Sequence, residues 1–231
     1  MRTQIFKQAA AEFVGTFCLV FAGTGAIVID GVSHGAIGHA GVALTFGLVV
    51  MAMIYTVGDV SGAHLNPAVT LGFAAARRLE AGKILPYLAG QLLGALAASG
   101  LLRALFPDDA MLGATIPAGA PMQSLILETV LTAILMLVIL SVSTGAKEKG
   151  ITAGIAVGAV IALEAMFAGP ICGASMNPAR SLAPALVSGH LASVWIYIAG
   201  PVCGALLAVP LCCLLRPHDC CFPPGHGECP S

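Results

Sequence analysis

Gly62-Ala63-His64-Leu65-Asn66-Pro67-Ala68 returns as Gly173-Ala174-Ser175-Met176-Asn177-Pro178-Ala179, with five of the seven positions identical. Each copy closes an apolar run and opens a short, mildly apolar segment. Asn is a strong helix N-cap, and Pro is favoured at the first helical position, where its missing N–H costs nothing. Each Asn-Pro-Ala therefore predicts a helix start. The segment after Asn66 reaches Arg77-Arg78 within about twelve residues, or ~18 Å at 1.5 Å per residue. That is roughly half of a ~30 Å hydrocarbon layer. A half-helix that starts at mid-depth and ends at a charged surface fits these lengths.

Composition fixes the setting. The chain has 231 residues, 58% of them hydrophobic and 9% charged, and its mean hydropathy is +0.96. Soluble domains carry about a quarter charged residues. A polytopic membrane protein is the class that remains, with the lipid bilayer as its surroundings. The net charge of −1 points to no nucleic-acid partner. The first apolar run has no cleavage-like site, so it reads as a span rather than a leader. Cys18, Cys203, Cys212 and Cys213 lie in apolar runs, where cysteine behaves as a small hydrophobe.

Six spans follow from the apolar runs, at about 9–29, 39–58, 84–105, 123–143, 151–168 and 192–215. The half-helices lie between spans two and three and between spans five and six. The halves repeat elsewhere too. Glu12-x-Val-x-Thr16 is echoed by Glu128-x-Val-x-Thr132, and the twelve residues from Tyr87 match those from Tyr197 at seven positions. Three spans per repeat is an odd number, so the second copy enters the membrane from the opposite side. The expected fold is an all-α membrane protein with six transmembrane helices and two re-entrant half-helices in an inverted-topology repeat. Repeat one covers about 9–105 and repeat two about 123–215, within one channel domain of residues 1–216. With both termini in the cytoplasm, Arg2, Lys7, Arg77, Arg78, Lys83, Lys147, Lys149 and Arg216 all fall on the cytoplasmic side. Gly90 with Gly94, and Gly200 with Gly204, give the four-residue glycine spacing that lets membrane helices approach closely.

The chemistry follows from two helix starts that face each other. Each carries roughly half a positive elementary charge, so cations and protonated water chains are repelled between them. The side-chain amides of Asn66 and Asn177 add donors that orient a passing oxygen. The irregular stretches 61–65 and 170–176 offer backbone carbonyls, tolerated at this depth only where they line a cavity. Arg180 stands one turn after Asn177, where the first repeat has Val69. A charge there costs at least about 2.5–3.5 kcal/mol in lipid, so it faces water, which means a pore.

Ser61–Thr70 and Gly173–Ser181 resemble the two signatures of the aquaporin, or major intrinsic protein, family, and about residues 8–216 share its layout in a bacterial-type form. The run Ala168–Pro184 is similar to the nodulin-like plant branch. The resemblance implies one pore per subunit in a homotetramer of the plasma (inner) membrane, with no cofactor. It implies a selectivity filter at Phe46, Ala165, Ala174 and Arg180, beside the motif residues Asn66, Pro67, Ala68, Asn177, Pro178 and Ala179. Ala165 stands where strict water channels of the family usually carry His. The implied function is a passive channel for water with small neutral solutes as second permeants. The alternative is a facilitator whose main cargo is glycerol, arsenite or boric acid. A coupled secondary transporter is a remote third option, lacking a paired ion site at mid-depth.

Other residues have two readings. Glu12 and Glu128 anchor the re-entrant loops by hydrogen bonds, or belong to a proton relay; the family resemblance favours anchoring. Glu164 adjoins Ala165 and replaces Met53 of the first repeat; a one-residue shift would put its carboxylate in the filter. His64 is a pore-lining candidate, and Cys172 a thiol of unknown direction. The tail 217–231 is rich in Cys, His and Pro, matches no standard zinc spacing, and reads as lacking a packed fold. No metal site and no enzyme activity are expected.

Overall fold

The computed structural model describes residues 2–143 and 147–216. Among them lie eight α-helices and no strand: α1 (Arg2–Val32), α2 (Gly38–Ser61), α3 (Pro67–Ala75), α4 (Ala81–Leu105), α5 (Pro121–Val142), α6 (Lys147–Cys172), α7 (Pro178–Ser188) and α8 (Val194–Leu215). All but α3 and α7 are long and apolar enough to cross a membrane. Helices are the form in which a lone segment satisfies its own backbone in lipid. The distribution of polarity fits that solvent. Leu85 and Leu214 face outward, whereas Glu12, Gln91, Glu128 and Arg180 are buried. The chain is a multi-pass membrane protein. The tail, including Cys220, Cys221, Cys229, His218 and His226, lies outside the described residues.

Glycines set the helix crossings. α1 packs on α4 and α5 on α8. Gly90 and Gly94 bring α4 onto the backbone carbonyls of Ala9 and Phe13, and Gly204 brings α8 onto that of Thr129. The two repeats meet where α2 crosses α6. Gly47 and Gly158 each stand fifteen residues before the glycine that opens a motif. They touch each other there, and a Cβ on Gly158 would lie 2.6 Å from the Gly47 carbonyl oxygen. The internal two-fold axis thus passes between two equivalent residues.

The bounds of α1, α3 and α6, among others, differ from the sequence-based expectation. α1 is longer at both ends, since a helix need not stop at the hydrocarbon edge. α3 ends at Ala75, short of Arg77-Arg78, because Arg77 turns left-handed (φ 56°) and the Arg78 N–H closes back on Phe73 O at 2.8 Å. α6 continues through Pro170 to Cys172, where an irregular stretch was expected from residue 170. Proline at that position frees the Met166 carbonyl four residues earlier. His39 Nε2 lies 2.7 Å from that oxygen and supplies the missing donor. The irregular stretches reduce to residues 62–65 and 173–176.

The bond is exposed, so His39→Ala is expected to destabilise the protein by about 0.5–1.5 kcal/mol through the loss of the donor to the Met166 carbonyl, seen as a lower Tm in detergent. His39→Gln, which keeps a donor, is expected to recover most of it. Equal Tm values for all three proteins would show that the bond contributes nothing.

Candidate functional site

The sequence Gly-Ala-X-X before each Asn-Pro-Ala cannot continue a helix, and its backbone conformation shows why. Gly62, Ala63 and Leu65 have positive φ (87°, 48° and 53°), as do Gly173, Ala174 and Met176 (82°, 41° and 53°). Left-handed backbone costs a non-glycine residue ~1 kcal/mol or more, so something must hold it. Two buried carboxylates do so. Glu12 Oε1 accepts from the Ser61 hydroxyl (2.7 Å) and His64 N–H (2.9 Å). Its Oε2 accepts from Leu65 N–H and Gln91 Nε2, both at 2.7 Å. Glu128 accepts from Ser175 N–H (2.8 Å) and Met176 N–H (2.7 Å).

The half-helices meet through crossed bonds. Asn66 Oδ1 caps α3 by accepting from Ala68 N–H at 2.9 Å. Asn177 Oδ1 caps α7 by accepting from Ala179 N–H at 3.0 Å and Arg180 N–H at 3.3 Å. Each amide then donates across the interface: Asn66 Nδ2 to Met176 O at 2.7 Å, and Asn177 Nδ2 to Leu65 O at 2.9 Å. One N–H per amide remains, and both asparagines line the central cavity. Within the described residues, no protein donor reaches the carbonyls of residues 62–64 or 173–175. Two donors at the centre and a row of acceptors on either side is a path for hydroxyl-bearing molecules.

That cavity, of about 110 Å³, runs from Ser143 and Ala153 past His64, Asn66 and Asn177 to Arg180. A second, of about 330 Å³, opens beyond it and is bordered by Asp30, His39, Thr115 and Pro170. Phe46, Ala165, Ala174 and Arg180 line both, and no other residue does. The four positions come together where the two cavities join. Arg180 is buried. Its Nη1 donates to Gly113 O at 2.8 Å, and its guanidinium carbon lies 5.0 Å from the centre of the Phe46 ring. Pro67, Ala68, Pro178 and Ala179 sit behind the asparagines in the first turns of α3 and α7 and are buried.

His64 lines the inner cavity, with Nδ1 3.1 Å from Thr70 Oγ1 and its ring stacked on Phe73 at 4.5 Å. Glu164 lines neither cavity and is 1% exposed, and neither of its oxygens has a hydrogen-bond partner. Cys172 is likewise buried away from both cavities. Sequence reasoning missed the stretch after Pro107. Asp109 Oδ1 accepts from Leu112 N–H at 2.6 Å, Leu112 is fully buried, and Gly113 follows at φ 69° to present its carbonyl to Arg180. The spacing of Asp109, Leu112 and Gly113 was the available signal for a folded turn.

The family model described as Major intrinsic protein matches residues 1–211. The chain belongs to this family. Among family relatives, it is 51% identical over 193 residues to Aquaporin NIP1-1 of Oryza sativa subsp. japonica, covering 83% of this chain and 68% of that protein. It is 43% identical over 193 residues to Nodulin-26 of Glycine max, covering 83% and 71%. The X-ray structure of the aquaglyceroporin from Plasmodium falciparum superposes with a TM-score of 0.80 at 26% identity, covering 91% of this chain and 99% of that one. As a member of the family, the protein is a membrane channel for water and small solutes and not an enzyme.

Glu128→Gln offers one acceptor to two backbone N–H groups. It is expected to destabilise by about 1–3 kcal/mol, read as a lower Tm with reduced water flux. Glu164→Met installs the first repeat's residue and removes two unpartnered oxygens. It is expected to leave Tm unchanged or raise it; a fall in Tm would mean that Glu164 has a partner.

Proposed function

We propose that this protein conducts water and small, uncharged, hydroxyl-bearing solutes by passive diffusion and excludes ions. The observation that carries the solute range is the junction of the two cavities. Two of its four lining side chains, Ala165 and Ala174, are methyl groups, opposed by one aromatic ring and one fixed guanidinium. A carbon skeleton lies against Phe46 and the two alanines while its hydroxyls face Arg180. Water passes the same opening. The similarity to a structure whose title names an aquaglyceroporin, and to relatives named aquaporins of the NIP group, supports this range.

Ion exclusion rests on electrostatics. Two helix starts face the lumen, Arg180 adds a full positive charge, and Glu12 and Glu128 are occupied by their hydrogen bonds. Glu164 lies off the path, and among the described residues no carboxylate lines the central cavity, where a coupled transporter would hold its ion. The second reading, a facilitator whose main cargo is glycerol, arsenite or boric acid, is favoured by Ala165, the small side chain at the junction. We further assign four such pores to a homotetramer in the plasma membrane, with both termini in the cytoplasm; the basic residues at 77, 78, 83 and 216 support that orientation.

Stopped-flow light scattering on proteoliposomes is expected to show water and glycerol permeabilities both well above the lipid background, with no ionic current. Glycerol at background beside fast water would restrict the protein to water. Arg180→Val, which copies Val69, is expected to admit protons or cations detectable as current.

A further inference from the structure

The Phe46 ring sits against the backbone of α1, and the residue behind it is Gly23, which is buried. A Cβ on Gly23 would overlap ring atoms Cε1, Cδ1 and Cζ, lying 2.6 Å from the last. That is well inside van der Waals contact, so ring and methyl cannot both keep their places. The Arg180 guanidinium carbon lies 5.0 Å from the centre of the same ring, and Phe46 lines both cavities. Helix backbone closes one side and the lumen is open on the other. The open space beside the ring is that of the two cavities it lines, and a ring displaced from α1 moves into it.

The second repeat gives the internal comparison. Ile139 stands eleven residues after Glu128, as Gly23 stands eleven after Glu12. Val157 stands twenty before Asn177, as Phe46 stands twenty before Asn66. On that side Ile139 and Val157 both line the cavity. A large and a small residue share the lining in one repeat, where the other has a ring and, at the equivalent of the large residue, no side chain.

We propose that Gly23 is a specificity-determining positioning residue: by lacking a side chain it lets Phe46 withdraw into the channel wall, and so sets the size of solute that passes between Phe46 and Arg180. This rests on the assignment of Phe46 to the constriction, and the experiment separates the two. Glycerol and water permeabilities are measured together on proteoliposomes of wild type, Gly23→Ala, Phe46→Ala and the double variant. Gly23→Ala is expected to lower the glycerol-to-water ratio about tenfold, the effect of ~1.4 kcal/mol on one barrier. Phe46→Ala is expected to raise the ratio, and adding Gly23→Ala to it to change nothing further, because no ring remains to be displaced. A ratio unchanged in Gly23→Ala while Phe46→Ala raises it overturns the role of Gly23. A ratio unchanged in Phe46→Ala overturns the constriction itself. Where Gly23→Ala alone does not reach the membrane, Gly23→Ala/Phe46→Leu carries the test, since the shorter side chain clears the added methyl. It is expected to fold and to match Phe46→Leu; failure to do so overturns the proposal.

Discussion

A backbone N–H or C=O without a partner costs several kcal/mol in hydrocarbon. This chain nevertheless keeps two stretches of four residues out of helical conformation at membrane depth. They persist because each is held by one carboxylate planted on a full-length helix, Glu12 on α1 and Glu128 on α5. Once the N–H groups of residues 64, 65, 175 and 176 are held, the carbonyls of residues 62–64 and 173–175 are left for the lumen. The half-helices that follow are aimed at one another, and the asparagines reach across to the opposite loop. Removing a carboxylate would leave donors in a place where water cannot easily replace it. The pore is thus a by-product of how the irregular backbone is made tolerable.

On this scaffold the two repeats have diverged in side chains rather than in path. The φ angles of the two loops agree closely, and the caps are the same residue. The linings are not the same. Phe46 is matched by Val157, Ala165 by Ile54, and Arg180 by Val69. One end of the lumen therefore carries an aromatic ring and a guanidinium, while its mirror image is aliphatic. The supporting contacts diverged too: Gln91 reaches Glu12 in the first repeat, whereas the second has Pro201 at that place.

Much of this was legible in the sequence, because its signals are local. Asn-Pro-Ala encodes a cap and a start within three residues, apolar runs encode spans, and an odd span count encodes inversion. The grouping of Phe46, Ala165, Ala174 and Arg180 came from resemblance rather than from spacing, and the four do line one junction. What escaped depends on partners distant in sequence. Pro170 read as a helix stop because the donor that makes it harmless, His39, is 127 residues away. The crossed bonds of the asparagines span 110 and 112 residues. Gly113 and Gly23 matter for what lies beside them, and one glycine among 28 carries no mark of that.

The contact between Gly47 and Gly158 has a consequence for how the duplicated chain could change. Elsewhere a substitution in one half meets a partner that is free to vary independently, and the halves drift apart. On the axis, each glycine is packed against its own counterpart. A bulkier residue at either place invades the same shared space, so neither copy can relieve the other. Divergence begins with the residues around the pair: Met51 and Ala162, equivalent positions with unlike side chains, lie against the two glycines, and Phe46 adjoins Gly47 where Val157 adjoins Gly158.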